Sequence, residues 1–255
     1  MRIDQHIAHI RSQGDRLVEL VAAGDLTTTV PTCPEWPVGE LARHMGRVHR
    51  WAGAIVRDRI DHPVDEAEEQ AIWGEMPDDA ALTAWQQAGV DGLVAALTAA
   101  PPDLACWSFL PAPSPLAFWA RRQCHETTIH RVDAEIAVTG NAGEALPIEL
   151  AVDGVDELLL AFFSRPGNRV RSAEPKTIGV VAADADAAWL IHVGERGSHG
   201  ERLEPGQVDA ARPDASVSGP ASSLYIGLWN RGELKVDGDE ALLELWRGSA
   251  NIRWS

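Results

Sequence analysis

Glu126 and His130 stand four residues apart in the run His125-Glu126-Thr127-Thr128-Ile129-His130-Arg131-Val132-Asp133. On a helix that spacing sets two side chains on one face, with Cβ atoms roughly 6 Å apart. A carboxylate and an imidazole so placed can hold one divalent cation. The string His125-Glu126 invites a zinc-protease reading, which needs two histidines four apart. His125 and His130 are five apart, about 140° around the axis at 3.6 residues per turn, so both cannot face one ion. A further donor must come from elsewhere. His44 and His49 are the candidates, again five apart. His44 sits beside the apolar stripe Leu41, Met45 and Val48, and is preferred. Two imidazoles and one carboxylate leave coordination positions open, as catalytic rather than structural sites do. They suit zinc, nickel and iron alike. The alternative for a buried Glu–His pair is a plain hydrogen bond.

Helices must position these residues. Residues 3–22 carry Ile7, Ile10, Leu17 and Leu20 on a helical period. A loop from Thr29 to Trp36 follows. A second helix starts near Pro37, with Val38, Leu41, Met45, Val48, Ala52 and Ile55 spaced as one buried stripe. The acidic run Asp65–Asp79 reads as a surface loop, and Asp79–Ala99 as a third helix. Ser114-Pro115 signals a fourth, which runs to about Val138 and stops at Gly140. Its inward face is Leu116, Trp119, Gln123, Glu126, His130 and Ala134. Beyond Asn141–Leu146 the pattern changes. Residues 147–164 read as a helix. Thr177–Ala182, Ala188–Val193 and Ala215–Ser218 read as strands, and Ala221–Trp229 and Glu240–Arg247 as helices. The expected fold is therefore α+β: a four-helix bundle with the metal site at 1–143, then a small α+β domain at 144–255 that covers it.

Composition narrows the function. The 255 residues carry a formal net charge of −16, which repels phosphate backbones and anionic lipid, so neither nucleic acid nor membrane is an expected partner. No secretory leader or apolar span is read. Cys33, Cys106 and Cys124 are odd in number and without a CxxC pair, which fits a reducing cytoplasm. Cys124 reads as a small core residue. His6, His9, His49, His62, His125, His192 and His199 read as surface or hydrogen-bonded histidines. Trp36 and Trp51 are candidates to line a pocket. No phosphate loop or GxSxG elbow is present.

Five stretches carry a resemblance. Thr32-Cys33-Pro34-Glu35-Trp36-Pro37-Val38-Gly39-Glu40-Leu41-Ala42-Arg43-His44 resembles the second-helix start of the mycothiol-dependent maleylpyruvate isomerase family, part of the wider group of DinB-like metal-binding bundles. His125 to Glu135 resembles that family's fourth-helix motif. Ala183–Trp189, Val217–Ser222 and Asp237-Gly238-Asp239 resemble its C-terminal domain. The resemblance implies a zinc-type site on His44, Glu126 and His130, mycothiol as a thiol cosubstrate, and a small electrophilic substrate that is isomerised or takes the thiol. It also implies a C-terminal domain like sterol carrier proteins, an arginine there that binds acidic substrate (Arg231 is the nearest candidate), and, with arginine favoured over lysine, an actinobacterial source. Two alternatives remain at this point. One is a non-catalytic metal-binding or regulatory module of the same fold. The other is a metal-assisted hydrolase or lyase with Glu126 or His125 as base.

Overall fold

The computed structural model describes residues 1–165 and 168–250. The chain divides into two compact units, Met1–Gly143 and Glu144–Ser255. The first contains α1 (Ile3–Ala23), β1 (Thr29–Val30), β2 (Cys33–Pro37), α2 (Val38–Asp58), α3 (Glu66–Trp73), α4 (Leu82–Ala99) and α5 (Pro115–Thr139). Four long helices make a closed bundle: α1 packs on α5 and α4, and α2 packs on α4 and α5. Leu17, Leu41, Met45 and Leu82 are wholly buried in its core, each worth about 1.5–3 kcal/mol of burial.

α5 begins where its capping signal stands. Ser114 accepts from the Ala117 N–H at 3.1 Å, with Pro115 in the first turn. Gly140 ends it in the left-handed region at φ 81°. The apolar face expected of this helix is exceeded, because every residue from Arg122 to Glu135 is buried. A helix enclosed on all sides needs no apolar stripe, only partners for its polar groups.

Two stretches of the first unit differ from the sequence reading. The Thr29–Trp36 loop is a short antiparallel hairpin of β1 and β2, tied to the start of α2 by Val38 N–H to Thr28 O and Gly39 N–H to Leu26 O, both 2.9 Å. Its prolines had masked two very short strands. The acidic Asp65–Asp79 run is not all loop but holds α3. Asp65 accepts from Glu68 N–H at 3.0 Å, and the Glu68 side chain accepts from Asp65 N–H at 2.9 Å. That reciprocal capping box supports a helix start whatever the surface charge.

The second unit is α+β. α6 (Ile148–Asp156) continues into a π-helical segment, Glu157–Phe162, followed by β3 (Lys176–Ala182), β4 (Ala187–Gly194), β5 (Gly197–Leu203), α7 (Pro205–Ala211), β6 (Ala215–Gly219), α8 (Ala221–Leu228), β7 (Val236–Gly238) and α9 (Glu240–Ser249). The sheet order is β5-β4-β3-β6-β7, with β3 and β6 parallel and the other pairs antiparallel. β5, α7 and β7 were absent from the sequence reading, since Gly197–Leu203 is too polar to show a strand pattern. No helix among the described residues is long and apolar enough to cross a membrane.

Candidate metal centre

His44 on α2 and Glu126 and His130 on α5 converge. One donor atom from each lies within 4.8 Å of the others. Glu126 Oε1 is shared, 3.3 Å from His130 Nε2 and 3.6 Å from His44 Nε2. Donors around a tetrahedral ion with bonds of about 2.1 Å sit about 3.4 Å apart, so these separations fit a cation. The second distance is too long for a hydrogen bond, and His44 Nε2 is buried without a hydrogen-bond partner. A buried ring nitrogen without a partner is costly, and an ion would satisfy it. The plain Glu–His hydrogen bond therefore leaves the third residue unexplained.

The neighbours aim the donors. Arg122, one turn before Glu126, donates Nη2–H to Glu126 Oε2 at 2.9 Å, leaving Oε1 for the two imidazoles. Asp133, wholly buried, accepts from His130 Nδ1–H at 2.9 Å. This fixes the ring so that Nε2 faces inward. Asp133 is itself held by the Thr32 hydroxyl and contacted by Cys33 Sγ at 3.8 Å. The Trp36 ring lies 4.7 Å from that of His44 and 6.2 Å from that of His130, centre to centre. The hairpin thus delivers Thr32, Cys33 and Trp36 to the site. Arg122 and Asp133 were missed in the sequence. Both lie at helical spacing from a ligand, four before Glu126 and three after His130, and that spacing could have found them.

Charge follows geometry. Burial works against the Glu126 carboxylate, but His130, His44 and Arg122 outweigh it and hold the carboxyl well below the usual range. Burial likewise opposes a charged His130, yet Asp133 and Glu126 carry it up to about 9. Burial keeps His44 below its ordinary value, so it is neutral and able to donate its lone pair. Asparagine at position 133 should lower metal affinity about 10–100-fold, the usual effect of losing a carboxylate behind a ligating imidazole. Competition with a chromophoric chelator measures this, and unchanged affinity would show that Asp133 does not orient His130.

The other sequence candidates lie apart. His125 is wholly buried, with its ring edge-on to that of His6 at 6.1 Å. His49 is also wholly buried, its Nε2 2.9 Å from Thr127 Oγ1. Cys124 is buried. Trp51 packs edge-to-face against Trp107 and Trp119. Arg231 follows α8 in the second unit, half-buried, and donates Nη1–H to Trp229 O at 2.7 Å.

A helical bundle holding three convergent donors that could hold a cation, followed by an α+β unit, defines a class of two-unit proteins. Residues 7–135 match the sequence model of the mycothiol maleylpyruvate isomerase N-terminal domain, and residues 149–245 match that of the corresponding C-terminal domain. The chain belongs to this family of enzymes. Its fold is similar to the crystal structure of the mycothiol-dependent maleylpyruvate isomerase, with 14% identity, TM-score 0.62 and 93% of each chain covered. It is similar also to a histidine-to-alanine mutant of that enzyme, with 11% identity, TM-score 0.59 and the same coverage. Among curated proteins none matches the chain in sequence.

Proposed function

We propose that this chain is a metal- and mycothiol-dependent isomerase or S-transferase, with His44, Glu126 and His130 as the ligands of a zinc-type cation. The observation that carries the reading is the convergence of these donors around a His44 Nε2 that is buried and without a hydrogen-bond partner. A divalent cation there would supply the Lewis acidity that keeps a thiol, of ordinary pKa about 8.5, as its thiolate at neutral pH. Three protein donors leave room for one ligand from solution.

The remaining roles belong to the chain. Arg122 neutralises the outer oxygen of Glu126, and Asp133 orients His130. Trp36 covers His44 with an apolar ring, which excludes water from one side. With the nucleophile brought by the cosubstrate, no cysteine of the chain is required. In an isomerase the thiol sulfur adds to one carbon of a cis double bond, the resulting single bond rotates, and the sulfur leaves as the trans bond forms. In an S-transferase the sulfur stays on the electrophile. Arg231 is proposed to bind an acidic group of that substrate.

Purified protein should contain close to one equivalent of divalent metal and turn over its substrate only with mycothiol. Less than about 0.2 equivalents, with no uptake of added zinc, would remove the basis of the reading, since affinity for a preformed site of this kind is high. Metal uptake should also release a proton. A histidine with pKa about 9 is charged at pH 7, and the cation must displace that proton from Nε2. Apparent affinity should therefore rise about tenfold per pH unit between pH 7 and about 9, then level off. Calorimetry in buffers of different ionisation enthalpy measures the proton directly, and a pH-independent affinity contradicts the assignment of His130.

A further inference from the structure

A second feature of the first unit has no part in this chemistry. A cavity of about 450 Å³ opens between α2, α3 and α4, within the size range of small-molecule sites. Its wall includes His49, Arg50 and Arg57 of α2, Ala71 of α3, and Gly89 and Gly92 of α4. Among the described residues, two arginines and no carboxylate line it, on a chain of net charge −16. None of His44, Glu126 and His130 contributes to it.

Arg50 is the informative residue. Its guanidinium lies 3.8 Å from the centre of the Trp85 ring. It donates Nη1–H to Gly46 O at 3.0 Å and Nη2–H to Trp85 O at 2.7 Å. Both acceptors are neutral carbonyls, and no carboxylate pairs with Arg50 among the described residues. Burial works against its charge and lowers its pKa. Gly89 permits the arrangement, since a Cβ there would come within 2.8 Å of Arg50 Nη1. A fixed, partly buried cation is thus kept without a counter-charge, and N–H donors remain to it beyond the two in use. Arg57 lies two turns further along α2, chelating Asp58.

His49 forms the inner wall. The Thr127 hydroxyl donates to Gln123 O at 2.7 Å, so it must accept from His49, which fixes the proton on Nε2. His49 Nδ1 is then an acceptor, buried and without a partner. A carboxylate has no donor for that atom, so the group that an anionic ligand would complete is the uncompensated Arg50 cation at the cavity wall.

We infer that this cavity is a second ligand site, which takes a small organic anion and pairs its carboxylate or phosphate with the Arg50 guanidinium. The site does not depend on a metal at His44.

Calorimetric titration of the full chain with sodium succinate and with sodium phosphate, at ionic strength held constant with chloride, tests it. Saturable binding is expected for at least one. Succinate alone identifies a carboxylate ligand and phosphate alone a phosphoryl one. Gly92→Glu sets a negative charge on the wall, and a Cβ at Gly92 meets nothing within 4 Å, so folding is preserved. That variant and Arg50→Gln should each bind at least about tenfold more weakly, as expected for a close charge reversed or removed. The double variant His44→Ala, His130→Ala should bind as the parent does. No saturation by either anion up to about 50 mM, weaker than any physiologically useful affinity, overturns the proposal. So does unchanged affinity in Gly92→Glu, or loss confined to the His44→Ala, His130→Ala protein.

Discussion

Alanine in place of His130 is expected to empty the metal site and abolish thiol-dependent turnover while leaving the fold intact. The ring supplies one of the three convergent donors. Without it, Glu126 keeps Arg122, Asp133 keeps Thr32, and no buried charge loses its last partner. Metal content should fall below about 0.1 equivalents, and kcat/KM by more than about 10²-fold, beyond what losing an outer partner of a ligand usually costs. Metal analysis, steady-state kinetics and the unchanged helical circular dichroism spectrum check this together. A His130→Ala protein that still holds one equivalent of metal would contradict the ligand assignment.

Alanine at Gly46 is expected to be the most damaging single methyl group in the bundle. α2 and α4 approach so closely there that a Cβ on Gly46 would lie 1.9 Å from Trp85 Cζ3 and within 2.7 Å of two more ring atoms. The indole cannot simply retreat, because Arg50 is stacked on it and bonded to the Trp85 carbonyl. Overpacking of this kind costs about 3 kcal/mol at the upper end of its range, or about 6–12 °C in Tm for a chain of this size. Thermal unfolding of Gly46→Ala measures it. Most of the loss should vanish in a Trp85→Ala background, because two residues in direct contact are not additive. A Gly46→Ala protein as stable as the parent would mean that the helices are further apart than described.

Much of this was legible because strong local signals agreed with the tertiary structure. Ser114-Pro115 and Gly140 bracket α5, and the stripe from Val38 to Ile55 predicts α2. What escaped had physical reasons. Asp65 and Glu68 form a capping box inside a run whose charge suggested a loop. The hairpin strands are too short and too rich in proline to show alternation. His49, read as a surface or hydrogen-bonded histidine, is the second of these, wholly buried against Thr127, because α2 packs on both α4 and α5 and so has more than one inward face. At the candidate metal centre, spacing alone placed Glu126 and His130 on one side of α5 and set His125 apart from them. Choosing His44 over His49 needed the stripe. Trp36 and Thr32 come to the site through the hairpin, a long-range placement that periodicity cannot show.

In the proposed function, His44, Glu126 and His130 hold a cation whose remaining position takes a thiol. X-ray absorption at the metal edge of the purified protein, before and after adding mycothiol, tests it most directly. Two imidazoles and one carboxylate are expected in the resting protein, and one new sulfur at about 2.3 Å once mycothiol is present. A first shell unchanged by mycothiol, or one without two imidazoles, would contradict it.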